Sequence, residues 1–214
     1  VITFLLILLL LLNGLSHLLM PRNKGKRGIS IESKDTIDYL VMGDSESITS
    51  ITPMEIWNKY GYTGYDCGMP SQRLQEAYYD LEEILKNQSP KVIFLETNAF
   101  YRAETSTEES KARIEGFIQK WLPIFRYKNQ WKNINYDTIK DYLLKHKYKG
   151  PDPFKGHKYR TTVDPYVDGS YVIATDEREE IQKVPLYYLD KIVKLCKERE
   201  IDLILYSVPS PKCW

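Results

Sequence analysis

A serine that follows a glycine and an aspartate stands at position 45, in the block Gly43-Asp44-Ser45-Glu46-Ser47. The block comes directly after the apolar run Ile37–Met42, which reads as a buried strand. A glycine at that junction allows a turn that a larger residue would strain. A serine just beyond it can project its hydroxyl above the strand end. A serine hydroxyl attacks carbonyl carbon when a neighbouring base takes its proton, usually a histidine oriented by a carboxylate. The block is not the Gly-x-Ser-x-Gly elbow of the α/β-hydrolases, because position 47 is Ser. By itself Gly-Asp-Ser also suits a plain turn, in which Asp44 and Ser45 bond nearby backbone groups. The base is not obvious. His17 lies in an apolar segment, and neither His146 nor His157 has Asp three residues earlier (positions 143 and 154 are Leu and Phe).

The elements that must position Ser45 alternate between strand and helix. Strands are expected at Ile37–Met42, Tyr62–Cys67, Lys91–Leu95 and Ile201–Val208. Thr52 and Pro53 open a helix reaching Tyr60, as an N-cap residue and a first-turn proline do. Ser71 is read as the cap of a helix carrying Leu74, Ala77, Tyr78, Leu81, Ile84 and Leu85 at a 3.6-residue period. Ile114, Phe117, Ile118, Trp121, Leu122 and Phe125 share another helical face. Residues 135–146 read as a further helix, and Leu189, Ile192, Val193 and Cys196 mark the last. Residues 147–175 are rich in Gly, Pro, Tyr and charge and read as an inserted loop or small hairpin. Alternation of this kind implies α/β architecture, a parallel sheet with helices on both faces and a site outside the carboxyl ends of its strands. Three strand ends are Gly-rich or polar: Gly43-Asp44-Ser45, Cys67-Gly68-Met69 and Glu96-Thr97-Asn98.

Composition narrows the choices. The 214 residues suffice for one domain with a sizeable core, and the net charge of +1 gives no electrostatic case for nucleic acid. Cys67, Cys196 and Cys213 do not have metal-site spacing, and no metal or cofactor is expected. Cys196 falls on an apolar helix face and reads as a small core residue. The 17 tyrosines serve packing or line a groove for a sugar polymer.

Residues 1–20 begin VITFLLILLLLL and carry no Asp, Glu, Lys or Arg, which predicts an uncleaved transmembrane anchor; a signal-peptide core is the rival reading. Residues 21–36 follow as a juxtamembrane linker and 37–214 as the α/β domain. Arg22, Lys24, Lys26 and Arg27 alone would place that domain in the cytoplasm. With Val1 at one end and Trp214 straight after a strand-like run at the other, the chain reads as a piece of a longer protein.

In the order and placement of these three blocks the sequence resembles the SGNH/GDSL hydrolase superfamily. The resemblance covers residues 37–98 by motif and the remainder by strand order. It implies a three-layer α/β/α, flavodoxin-like parallel sheet. It implies Ser45 as nucleophile, the Gly68 backbone N–H and the Asn98 side chain as oxyanion donors, and Gly43 and Asp44 as supporting residues. These are suitable donors for a tetrahedral oxyanion, because they carry no proton that must be managed during the reaction. The Asp-x-x-His block that supplies the family's base is expected beyond Trp214. The sequence departs from the pattern at Glu46, where the naming motif has Leu, at Glu96, often Gly, and at Ala99, often Asp. Ser207-Val208-Pro209-Ser210-Pro211 is similar to the cell-surface branch that includes the teichoic-acid D-alanylation protein. That branch implies an extracytoplasmic domain acting on acylated envelope polysaccharide or teichoic acid. The activity it implies is that of a serine esterase or acyltransferase. A second reading is a catalytically inactive accessory protein serving a membrane-bound O-acyltransferase. A third, a flavodoxin-like phosphate or nucleotide binder, lacks a Gly-x-Gly-x-x-Gly or P-loop signature.

Overall fold

The computed structural model describes residues 2–19, 28–102, 109–122, 125, 136, 140, 151–162 and 180–208. Within them the chain forms α1 (Ile2–Leu19), β1 (Tyr39–Met42), a single turn α2 (Ser47–Ser50), α3 (Pro53–Tyr60), β2 (Gly64–Asp66), α4 (Leu74–Ile84), β3 (Val92–Glu96), a 3₁₀ turn (Thr97–Tyr101), α5 (Glu109–Trp121), α6 (Lys183–Glu198) and β4 (Asp202–Tyr206). All four expected strands are present; three are shorter at their ends than the apolar run that announced them, and the third, Val92–Glu96, is shifted one residue along from Lys91–Leu95. They make one parallel sheet in the order β2-β1-β3-β4. The molecule is therefore α/β, and the arrangement is consistent with three layers.

The central strand shows why the sheet has cover on two sides. Every residue of β1 is buried, as expected of a parallel strand covered on both faces. One face carries Leu40 and Met42 of β1 with Ile93 and Leu95 of β3. These pack into a core with Leu74, Ala77 and Leu81 of α4 and Val184, Tyr188, Ile192 and Cys196 of α6. The other face carries Tyr39 and, across the ladder, Phe94 and Tyr206. Their rings meet edge to face at 5.8 and 6.4 Å. Gly64, level with Tyr39 on the neighbouring strand, leaves room for that ring, since a β-carbon there would overlap it. β4 is largely exposed.

Several sequence expectations change. Ser71 does not cap α4. It lies at φ +55°, and Arg73 is the N-cap, with the Glu76 carboxylate accepting both the Arg73 N–H at 3.2 Å and the Arg73 guanidinium at 3.0 Å. The α3 start is as expected, Thr52 at the cap and Pro53 in the first turn, but Thr52 makes no side-chain cap bond. α5 forms, yet Ile114, Phe117 and Ile118 are exposed, and Gly116 and Gln119 are buried instead. The reason is steric. Gly116 meets the Tyr79 and Tyr188 hydroxyls so closely that a β-carbon would overlap both. The helix therefore turns its smallest residue, not its apolar stripe, toward α4 and α6.

Cys196 is buried in the core as expected, its thiol pushed up to about 11 by burial. The 135–146 helix lies almost wholly outside the described residues, as do Cys213 and most of the 147–175 insertion. The described part of that insertion, 151–162, holds turns and neither helix nor strand. It docks on the β2 edge: Asp66 donates its N–H to the Lys155 carbonyl at 2.8 Å, and Lys158 donates to Ile48 at 2.9 Å.

α1 is 18 residues long, which at 1.5 Å per residue is about 27 Å, just under a hydrocarbon core of roughly 30 Å. Among the described residues no helix is long and apolar enough to cross a membrane, so the anchor expected over residues 1–20 has no support from the fold. The side chains from Thr3 to Leu11 are all exposed.

Candidate active site

The winding direction reverses between β1 and β3, the place where parallel sheets of this type open a crevice beyond their carboxyl ends. Ser45 lies there. The register pairs Met42 with Leu95 and Val41 with Asp66, so the ends of β2, β1 and β3 are offset from one to the next by a single residue. Neighbouring strands lie about 4.8 Å apart. Gly68, Ser45 and Asn98 thus follow three adjacent strand ends in that order.

Ser45 occupies the apex of a tight turn. The Asp44 carboxylate accepts the Glu46 N–H at 2.9 Å and closes the backbone around it. Ser45 is exposed, and no described side chain bonds its hydroxyl. Ser47, two residues on, is fully buried and donates to the Asp44 carbonyl at 2.8 Å. Of the two serines in the block, only Ser45 is presented to solvent. Asp44 itself is fully buried, and its second oxygen receives the guanidinium of Arg102.

Gly43 has φ +148°, and a β-carbon there would overlap that of Glu96, so glycine is required on two counts. Its N–H is accepted by the Gln72 side chain at 3.2 Å, and the Gln72 amide donates to Asp80 at 3.1 Å. The Gly43 carbonyl accepts from Met69 at 3.0 Å. The loop after β2 is thereby stitched to the loop after β1.

The same capping device recurs at all three strand ends. Asp66 accepts the Gly68 N–H at 2.9 Å, and Glu96 accepts the Asn98 N–H at 2.6 Å. Both acids are buried, and Asp66 Oδ2 finds no partner among the described residues. Burial pushes the Asp66 carboxyl up to about 7, against the lowering effect of the Gly68 N–H. Burial likewise raises Glu96, partly offset by the Asn98 N–H, with the Asp44 charge adding to the rise. Tyr206 is raised by burial and by the charges of Asp66, Glu96 and Asp44, while its hydroxyl shares a hydrogen bond with Ser50 at 3.0 Å. The buried Asp66, Ser47 and Glu96 and the half-buried Tyr206 therefore form a polar layer around the start of α2. Of its members the sequence reading singled out only Glu96, and that as a departure from a motif. Their signal was the acid two residues before each marked position, Asp66 before Gly68 and Glu96 before Asn98.

Asn98 is half-buried at the start of the 3₁₀ turn. His157 packs on the α2 side, where its ring bonds the Ile51 backbone. Burial lowers its pKa, and Nδ1 has no partner among the described residues. His146 lies outside the described residues. Among those described, no His, Cys, Asp and Glu cluster could hold a metal ion.

Taken together, this is a parallel α/β protein with a turn-mounted serine at its topological switch point. Compared with known families and curated proteins, the sequence matches no family model and no curated protein.

Proposed function

We propose that the chain carries the acylation half-site of an SGNH-type serine esterase or acyltransferase, with Ser45 as nucleophile. The observation that carries this reading is the exposed Ser45 at the apex of the Asp44 turn, with Gly68 and Asn98 each two residues beyond the ends of the two flanking strands. Attack by Ser45 Oγ on an acyl ester carbonyl forms the acyl-enzyme and releases the alcohol. Water or a sugar hydroxyl then takes the acyl group and restores the serine. The Ser45 and Gly68 N–H groups and the Asn98 amide are the donors toward the oxyanion. No described group is placed to take the serine's proton, so the reading calls for a base from an Asp-x-x-His segment beyond Trp214. The substrate class suggested by the cell-surface resemblance is an acylated envelope polysaccharide or teichoic acid. On this reading the domain is extracytoplasmic, with α1 burying its exposed apolar surface in the membrane.

A specific observation favours the accessory reading as well. The Gly68 N–H donates to Asp66, and a carboxylate at that point repels a developing oxyanion. On that reading the protein assists a membrane-bound O-acyltransferase and performs no acyl transfer itself. The test is labelling of the intact protein with a fluorophosphonate probe, beside Ser45→Ala. Labelling that disappears in Ser45→Ala supports the enzyme. A folded protein that neither labels nor turns over acetyl esters is the accessory protein.

A further inference from the structure

We infer that the β2 edge of the domain, centred on Trp57, is a docking face for a lipid bilayer surface. The inference rests on the reading above that α1 buries its apolar side chains in the membrane. Met54, Trp57 and Tyr60 recur every three residues along α3, so they share one stripe of the helix. Trp57 and Tyr60 are 54% and 61% exposed, and Tyr62 just beyond the helix is 59% exposed. A core-facing stripe would be buried; this one faces solvent. Beside it lies a largely apolar groove of about 310 Å³, lined by Pro53, Met54, Trp57, Thr63, Gly64 and Lys155.

The chain itself links this groove to α1. Lys155 pairs with Glu32 at 2.7 Å, and Gly28 packs against the Tyr65 ring with Asp152 close by. Residues 28–32 are thus fixed to the wall of the groove. Only eight residues separate Leu19, the end of α1, from Gly28. At a maximum of about 3.5 Å per residue, that tether holds Gly28 within roughly 30 Å of the end of α1. A membrane holding α1 therefore lies within that reach of this edge, and residues 28–32 bring the tether to this side of the domain.

The chemistry of the face suits that neighbour. Trp and Tyr concentrate at the headgroup level, where one end of the ring is apolar and the other wet. Phe154 and Tyr159 add exposed aromatic area from the 151–162 segment. Lys59, Lys158 and Arg160 stand in the same two segments, with Lys59 over the Tyr60 ring at 5.1 Å. Cations among interfacial aromatics favour an anionic leaflet.

The experiment reconstitutes the full chain, as wild type and Trp57→Phe, into vesicles of phosphatidylcholine and phosphatidylglycerol with brominated acyl chains. Trp57 fluorescence is taken as the difference between the two proteins. Expected is a blue shift and loss of the Trp57 signal in brominated vesicles, weaker when phosphatidylglycerol is omitted. If the protein floats with the vesicles but Trp57 is not quenched, the face is not at the bilayer and the inference fails, while the α1 reading survives. A protein that does not float overturns both. An unquenched Trp57 together with a doubled mass by sedimentation assigns the face to a second copy, which also overturns the inference.

Discussion

The Asp66 carboxylate accepts the Gly68 N–H at 2.9 Å, so an acid occupies the donor that the acyl-transfer reading needs. Asp66 is buried, and its other oxygen has no partner among the described residues. The protonated acid can keep the turn closed through its carbonyl oxygen without placing a full charge at the site. The protonation state of Asp66 therefore governs both stability and the electrostatic character of the crevice.

The sign of its pH effect follows from the direction of the shift. The folded-state pKa is raised from 3.8 to about 7, so the folded protein binds more protons than the unfolded chain between those values. Stability should fall as pH rises through that window, by up to ~4 kcal/mol from this group alone. Glu96, also raised, acts in the same sense. Asp66→Asn keeps an oxygen acceptor for Gly68 and cannot ionise, so it should flatten the profile. Urea denaturation of both proteins from pH 4 to pH 8 measures this. Equal slopes would show that Asp66 ionises as freely in the fold as outside it.

Arg102 neutralises Asp44, the fully buried carboxylate that closes the turn around Ser45. Removing the cation leaves that charge, among the described residues, with only the Glu46 N–H as a partner. Breaking a buried pair from one side costs about 3–5 kcal/mol; with Arg102 partly exposed, Arg102→Ala should cost about 2–3 kcal/mol. Asp44→Asn combined with Arg102→Ala should recover part of this loss, since no buried charge remains. Thermal unfolding of the single and double variants checks it, and strictly additive losses would show that the two residues are not coupled.

The sheet was legible because its strands are short, apolar and bounded by turn residues, as Ile37–Met42 and Lys91–Leu95 show. The positions of Gly68 and Asn98 at strand ends followed from the same pattern. What could not be read were contacts that depend on distant chain segments. The Arg102 partner of Asp44 lies 58 residues away, and Gln72 reaches back 29 residues to Gly43. Nor does periodicity reveal which side of a helix faces the core when a neighbour demands close approach. In α5 the apolar stripe through Phe117 gave way to Gly116 because two tyrosine hydroxyls lie against it. The cap of α4 moved from Ser71 to Arg73, where the Glu76 carboxylate accepts both the Arg73 N–H and its guanidinium.

Gly68 and Ser47 form a second coupled pair. A β-carbon at Gly68 would overlap Ser47 Oγ, the hydroxyl that bonds the Asp44 carbonyl under the nucleophile turn. Gly68→Ala should therefore destabilise by about 1–3 kcal/mol, the usual range for overpacking a buried site. Ser47→Ala removes the obstructing oxygen, so Gly68→Ala should cost clearly less in a Ser47→Ala background. A double-mutant cycle by urea denaturation reads the coupling, and a zero coupling energy would mean the two residues do not touch.

Asn98 separates a catalytic donor from a structural one. The bond that holds its turn uses the backbone N–H, accepted by Glu96, and survives truncation of the side chain. Asn98→Ala should thus leave stability within about 0.5 kcal/mol, as for a substitution that removes no structural contact. If the side-chain amide meets the oxyanion, loss of that donor should lower ester turnover about 10²–10³-fold, with the fall mainly in kcat. Asn98→Asp places a carboxylate where an amide donor stood and should be at least as damaging. Unchanged kcat in a stable Asn98→Ala protein would remove Asn98 from the site and leave the crevice with backbone donors alone.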